Sequence, residues 1–276
     1  MALANRLVGN QALAAALEST LTGMTIRFVA DSFVAITGAV STCTLNGNTV
    51  PQHRSLRVQR DDILDVGAAQ IGVRSYLAFA GGLVADVVFD SASTYLPAEF
   101  GGFQGRALAK GDVLATLDSA ANGSLMKTPP EFQPAMQKAW TLRAGRSVET
   151  LSLVNSERLF TQKFGISSRN DRMGIKLEGE RFETRAGGEM PSVPVFPGSV
   201  QCPQDGSLFI LGVDSGTTGG YPRVAKIARL DLHMLGQLRP GNSLRFIERK
   251  DEDAARELKE KHAYWQRWLP DVANVI

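Results

Sequence analysis

The sequence predicts a mainly β protein with peripheral helices, folded as two barrel-like domains. Short runs rich in Thr, Val, Ile, Phe and Leu recur from Met24 onward, and those at 56–64, 73–80 and 113–117 each stop at Gly, Asp or Asn, the rhythm of antiparallel strands. A basic residue, a Gly/Asp turn and a strand follow one another at 56–64, 109–114 and 239–244. Duplicated barrels would leave such an echo, and common turn chemistry generates it as well. Finally, the stretch 118–140 is polar and contains Pro129, Pro130 and Pro134, a linker composition. It divides the chain into domains at 1–125 and 126–276. A chain of 276 residues that is 43% hydrophobic has material for two modest cores.

In order, the chain opens on an alanine-rich segment in which Leu3, Leu7, Leu13 and Leu17 hold a helical face, predicting an amphipathic helix with a break at Gly9-Asn10 and an end at Gly23. Strands are predicted at 25–29, 33–37 and 41–45, the last reaching the turn Asn46-Gly47-Asn48, and then at 56–64, 73–80 and 113–117. The second half opens with a strand at 141–144, carries a helical candidate at 148–160 and returns to strands through Ile210. The segment 251–269 is charge-dense, with Ala254, Leu258, Ala263, Trp265 and Trp268 at helical spacing. It predicts a packed terminal helix with a solvated face.

Composition excludes several classes of function. Thirty Lys+Arg against 28 Asp+Glu leave a net charge of +2, and no basic stripe with interleaved aromatics points to nucleic acid. No apolar span approaches the ~18 residues of a membrane helix, so no membrane partner is expected. Cys43 and Cys202 read as free core thiols and, with no secretory signal, predict a cytoplasmic protein. His53, His233 and His262 lie far apart without ligand spacing, so no metal is expected.

Three stretches could carry chemistry. At 205–222 an apolar run, 208–213, empties into a polar loop with Gly216, Gly219, Gly220, Thr217 and Thr218. Such a loop, its glycines free to take positive φ, either cradles a ligand with exposed amides or makes a tight turn between strands. Asp214 at its start is placed as a general base or hydrogen-bond acceptor, or as an ordinary solvated carboxylate. The second stretch, Gly81-Gly82 with Ser91, Ser93-Thr94 and the run 101–106, gathers small residues, hydroxyls and Arg106. It is suited to an anion, or to barrel turns, and lacks the spacing of dinucleotide or Walker-type loops. The third, 168–174, concentrates Arg169, Asp171 and Arg172. These either form a charge-assisted site for a carboxylate or phosphate or line a solvated loop. No Gly-x-Ser-x-Gly elbow is present.

Several segments in this order resemble one family: Leu3-Ala4-Asn5-Arg6-Leu7, Asp90-Ser91-Ala92-Ser93-Thr94, Gly101-Gly102-Phe103-Gln104-Gly105-Arg106, Asp171-Arg172-Met173-Gly174, Gln201-Cys202-Pro203-Gln204-Asp205-Gly206 and Thr217-Thr218-Gly219-Gly220-Tyr221-Pro222. The family includes the C subunit of the prokaryotic 5-oxoprolinase, allophanate hydrolase subunit 2, the Kip-type antagonist of a kinase inhibitor, and the carboxyltransferase domain of urea carboxylase. The resemblance implies two cyclophilin-like β-barrel domains with a groove between them. It also implies a kinase-inhibitor-like partner (the B subunit of 5-oxoprolinase or allophanate hydrolase subunit 1), with the A subunit of 5-oxoprolinase as a further partner. Members of the family carry an N-terminal strand region before the helix that opens here at Met1, so a first barrel lacking those strands is expected. Two positions depart from the family pattern: Gly216 stands where Gln is common before the Thr pair, and Cys202 where Val is common.

Three functions follow from the resemblance. The leading one is a subunit of an ATP-dependent 5-oxoprolinase, opening the lactam of 5-oxo-L-proline to L-glutamate, with ATP used in the assembled complex. The second is a biotin-dependent carboxyltransferase or allophanate-hydrolase-type subunit of urea metabolism, with biotin arriving on a separate chain because no Met-Lys-Met segment is present. The third is a non-catalytic antagonist that binds a kinase-inhibitor protein. For catalysis the expected residues are Asp171, Arg172 and Asp214. For substrate binding they are Asn5, Ser93, Thr94, Gly101, Gly102, Arg106, Thr217, Thr218, Gly219, Gly220 and Tyr221.

Overall fold

In a computed structural model, residues 1–117, 125–184 and 190–276 are described. The chain is mainly β and divides into two compact units, Met1–Met136 with Trp265–Val275, and Gln137–Tyr264 with Ile276.

The first unit begins with helix α1 (Ala2–Leu7). Its strands are β1 (Leu17–Thr20), β2 (Met24–Arg27), β3 (Ser32–Val40), β4 (Cys43–Leu45), β5 (Asn48–Val50), β6 (Ser55–Val58), β7 (Ile63–Val66) and β8 (Ile71–Phe79). They form two four-stranded sheets, in the orders β1-β8-β3-β6 and β2-β7-β4-β5. Val34, Ile36, Leu77 and Phe79 of the first sheet share one buried core with Cys43, Leu64 and Val66 of the second. A barrel lacking its N-terminal strands was expected here; among the described residues this unit is two sheets facing each other over that core, and the outer strands of each sheet are not paired to the other.

The predicted N-terminal helix is much shorter than the leucine spacing suggests. Gly9 takes φ +78°, and the buried Asn5 amide donates to the carbonyls of Ala12 (3.2 Å) and Ala14 (2.8 Å) while accepting from Asn10. Asn10 in turn donates to Phe79 O at 2.8 Å and accepts from the Gly81 amide. These side chains compete with helix hydrogen bonds and steer the chain into β1, where Leu17 pairs with Leu77. Nor is 113–117 a strand. It makes one bridge, Leu83 with Thr116, and leaves Val113 exposed.

The second unit contains β9 (Ala139–Arg146), β10 (Lys163–Asn170), β11 (Gly174–Glu178), β12 (Val193–Pro194), β13 (Ser199–Gln201), β14 (Leu208–Leu211), β15 (Thr218–Gly219), β16 (Arg223–Ile227) and β17 (Ser243–Glu248). Seven of them close a barrel in the order β10-β11-β14-β13-β16-β9-β17. Closure is made by the parallel pairing of β17 with β9, Ser243 opposite Ala139 through Glu248 opposite Ala144. Alternate residues, among them Trp140, Leu142, Phe164, Ile166, Leu244 and Phe246, are buried inside, the period-2 signature of strands. The helical candidate at 148–160 is broken into a 3₁₀ turn (Val148–Ser152) and the short helix α2 (Arg158–Thr161), with Asn155 at φ +57° between them. Another short helix, α3 (Leu232–Leu235), precedes β17. The charge-dense C-terminal segment is helix α4 (Asp251–Trp265), with Asp251, Glu252 and Asp253 in its first turn, where carboxylates oppose the helix dipole favourably.

The division differs from the boundary expected at 125/126. Residues 126–136 belong with the first unit because Met126 exchanges hydrogen bonds with Ser55 and the Thr128 amide donates to His53 O. The segment from Trp265, the last residue of α4, belongs there too, as Phe132 packs its ring against Trp265 (5.5 Å) and Trp268 (6.3 Å). Of the expected linker, residues 118–124 lie outside the described residues.

Candidate functional site

The second unit brings Arg172 and Asp214 together. Strands β11 and β14 pair with Gly174 opposite Leu211, and the two chains stay in contact past the ladder. The Gly212 amide donates to Met173 O (2.8 Å) and the Asp214 amide to Arg172 O (3.0 Å). A Cβ on Gly212 would lie 2.2 Å from Arg172 O, so the crossing requires glycine. The side chains then meet as a two-pronged pair, Arg172 Nε to Asp214 Oδ2 at 2.6 Å and Nη2 to Oδ1 at 3.2 Å. Such a fork fixes the carboxylate in position as well as attracting it. Asp214 keeps only 15% of its side chain exposed. Asp171, expected as a third catalytic group, shapes the turn: its Oδ1 accepts from the amides of Met173 (2.7 Å) and Gly174 (3.1 Å).

The glycine-rich loop leaves from this pair. Thr218 and Gly219 form β15 and pair with Pro194 and Val193, the Thr217 carbonyl accepts from Val195, and the Gly220 carbonyl accepts from Met190. Gly216, Gly219 and Gly220 are free to take positive φ, and none of the three does. Gly219 and Gly220 are required for space instead. A Cβ would lie 2.7 Å from Gln201 Nε2 at Gly219 and 3.0 Å from Met190 O at Gly220. The loop thus combines both alternatives left open by its composition: a tied turn whose Thr217, Thr218 and Tyr221 remain exposed.

Two residues that the sequence did not single out belong to this region. Ser215 follows Asp214, and its buried Oγ has no hydrogen-bond partner among the described residues. Gln201 is buried beneath the loop, with Nε2 3.5 Å from Tyr221 O. Its signal in the sequence was only its place in the 201–206 segment, and nothing in the spacing linked it to residues eighteen and more positions later.

The remaining candidates lie in the first unit. Ser93, Thr94, Gly101 and Gly102 make one knot: a Cβ would lie 2.4 Å from Ser93 O at Gly101 and 1.9 Å from Thr94 Oγ1 at Gly102. Gly102 exchanges backbone hydrogen bonds with Asp86. Arg106 gives both prongs of its fork to Asp112, each at 2.8 Å, and lies 4.9 Å over the Phe103 ring. That fork, joined by the Ala109 amide, holds the Asp112 carboxyl down at about 2. Asn5 uses its amide within the unit, as described above.

Among the described residues no group of three or more His, Cys, Asp and Glu is placed to hold a metal ion. Cys43 and Cys202 are free and buried. Burial pushes the Cys202 thiol up to about 11, away from the thiolate that a nucleophile needs. No helix among the described residues is long and apolar enough to cross a membrane.

Fold and site together define a mainly β domain protein in which a closed seven-stranded barrel carries an arginine-clamped carboxylate beside a tied glycine loop. Residues 1–248 match the model of the carboxyltransferase domain, subdomains A and B, and the chain belongs to that family. It is similar to the C subunit of 5-oxoprolinase from Escherichia coli, 34% identical over 269 residues that cover 96% of this chain and 85% of that one. Similarity to the urea amidolyase of Saccharomyces cerevisiae is 31% over 94% of this chain and only 15% of that one. Among solved structures, urea carboxylase of Kluyveromyces lactis superposes with a TM-score of 0.88 at 28% identity, covering 95% of this chain and 25% of that chain.

Proposed function

We propose that the chain is a subunit of an ATP-dependent 5-oxoprolinase, which opens the lactam of 5-oxo-L-proline to L-glutamate together with a kinase-inhibitor-like subunit. The observation that carries this reading is the match to the C subunit of 5-oxoprolinase along 85% of that protein's length. By contrast, the yeast urea amidolyase extends far beyond the matched region.

The Arg172–Asp214 pair is the proposed reactive centre. A lactam resists hydrolysis because its nitrogen delocalises into the carbonyl, and its opening needs a positioned base for water and donors for the oxyanion. Arg172 holds the Asp214 carboxylate through two hydrogen bonds, leaving further lone pairs for the lactam N–H or an attacking water. The exposed hydroxyls of Thr217 and Thr218 supply donors on the same loop, and Tyr221 forms its outer end. Asp171 sets the turn that aims Arg172.

Among the described residues, the expected site arginines offer no free fork for ATP. Arg106 and Arg172 already spend on carboxylates the fork that a phosphate would take, and the glycine-rich stretches lack phosphate-loop spacing. Activation of the lactam by ATP is therefore assigned to the partner subunits, and this chain binds and orients the substrate.

Carboxyl transfer is the second reading, favoured by the TM-score of 0.88 to urea carboxylase. One assay separates the two. Partner subunits with and without this chain are tested for ADP release dependent on 5-oxoproline, and in parallel for transfer from carboxybiotin to urea. The 5-oxoprolinase reading expects lactam-dependent release only with the chain present. Release unchanged by its omission, or transfer to urea in its place, overturns that reading.

A further inference from the structure

The 84–100 arm of the first unit contains a costly feature that folding does not explain. Val88 and Ser91 exchange both backbone hydrogen bonds, 2.9 and 3.0 Å, closing a two-residue hairpin turn on Phe89 and Asp90. Both central residues have positive φ, +50° and +60°, in a turn where Asn-Gly is the usual occupant. Asp tolerates that conformation; a bulky aromatic is strained in it. Nothing is recovered by burial, because Phe89 is 91% exposed. In the free chain Phe89 therefore costs stability and returns little, the mark of a residue kept for another purpose.

The ring has one aromatic neighbour, Phe100, at 6.3 Å in a T-shaped arrangement, and Phe100 lies 5.4 Å from Tyr95. The exposed apolar side chains of Val84, Val87 and Leu96 belong to the same arm. Asp86, Asp90 and Glu99, all exposed on it, are without an ion-pair partner among the described residues. An exposed aromatic on a strained turn, with an apolar surround and a charged rim, has the anatomy of a protein-binding hot spot.

We propose that this arm, with Phe89 at its tip, docks a second protein chain that offers an apolar pocket bordered by Lys or Arg side chains. A second copy of this chain fits less well, since an isologous contact would set the same three carboxylates against one another. A projecting turn tip also lacks the concavity that a small molecule needs. The occupant is the kinase-inhibitor-like subunit of the assembly, and in this respect the inference rests on the function proposed above.

The test uses the full chain and the purified kinase-inhibitor-like subunit, with binding measured by calorimetry at two salt concentrations. Phe89→Gly removes the ring and suits the turn, so its thermal midpoint is expected to equal or exceed that of the wild type. Its affinity for the partner is expected to fall at least about tenfold. Asp90→Asn keeps the turn and removes one rim charge, and is expected to weaken binding several-fold at low salt and less at high salt. Wild-type binding with Phe89→Gly unchanged overturns the docking surface and leaves the assembly standing. A Phe89→Gly variant that turns a dimer into a monomer without altering partner affinity assigns the arm to self-association and overturns the proposal likewise. Absence of any complex with the wild-type chain overturns the assembly reading itself.

Discussion

At the scale of residues, the site depends on which charges are already committed. Arg106 and Arg172 both looked like anion receptors in the sequence, and each is closed on a carboxylate, Asp112 and Asp214. Sequence patterns name a residue's chemistry but not its partner: Asp214 lies 42 positions from Arg172, and Asp112 was visible only as part of a strand-starting turn. The Arg106–Asp112 pair has a measurable consequence. Because the folded state holds Asp112 at about 2, below the ordinary aspartate value of about 3.9, its contribution is present above that ordinary value and is lost as pH falls through about 2. Carboxyl NMR titration should find Asp112 well below the ordinary aspartate value, and Arg106→Ala should raise it toward that value, leaving only the pull of the Ala109 amide. An Asp112 that already titrates normally in the wild type would place the fork elsewhere.

At the scale of elements, local chemistry was legible and long-range pairing was not. The three echoed turns do share positive φ, at Asp61, Gly111 and Gly241, yet only the first and last lead into strands, β7 and β17. After the second, 113–117 meets its neighbour at a single bridge. The leucine spacing of the first seventeen residues imitates a helix that Asn5 and Asn10 prevent, because side-chain amides there take carbonyls outside it. Gly212 shows the converse, an unremarkable glycine in the sequence whose missing Cβ lets Arg172 and Asp214 approach. Gly212→Ala is expected to cost about 2 kcal/mol by overpacking, seen as a lower denaturation midpoint, and to reduce turnover of the assembly even where the variant is fully folded. A variant with wild-type stability and activity would show that the crossing tolerates a Cβ.

At the scale of the whole molecule, strand rhythm and turn chemistry made the mainly β class readable, and the family-specific segments made the relatives readable. The closure of the second unit by parallel β9 and β17 was not, since it joins segments about a hundred positions apart with no local signal. The match to the C subunit of 5-oxoprolinase is the ground for the proposed role, in which this chain orients a lactam and the partner subunits handle ATP. In that proposed role the Arg172 fork holds the reactive carboxylate of Asp214. The most direct test is 5-oxoproline-dependent ADP release by the reconstituted subunits with wild-type, Arg172→Ala and Arg172→Lys chains, each checked for folding and complex formation. Arg172→Ala should lower turnover by roughly 10²-fold or more, and Arg172→Lys should restore little, because lysine returns the charge without the fork. Turnover at the wild-type rate from a folded, assembled Arg172→Ala chain would contradict the account.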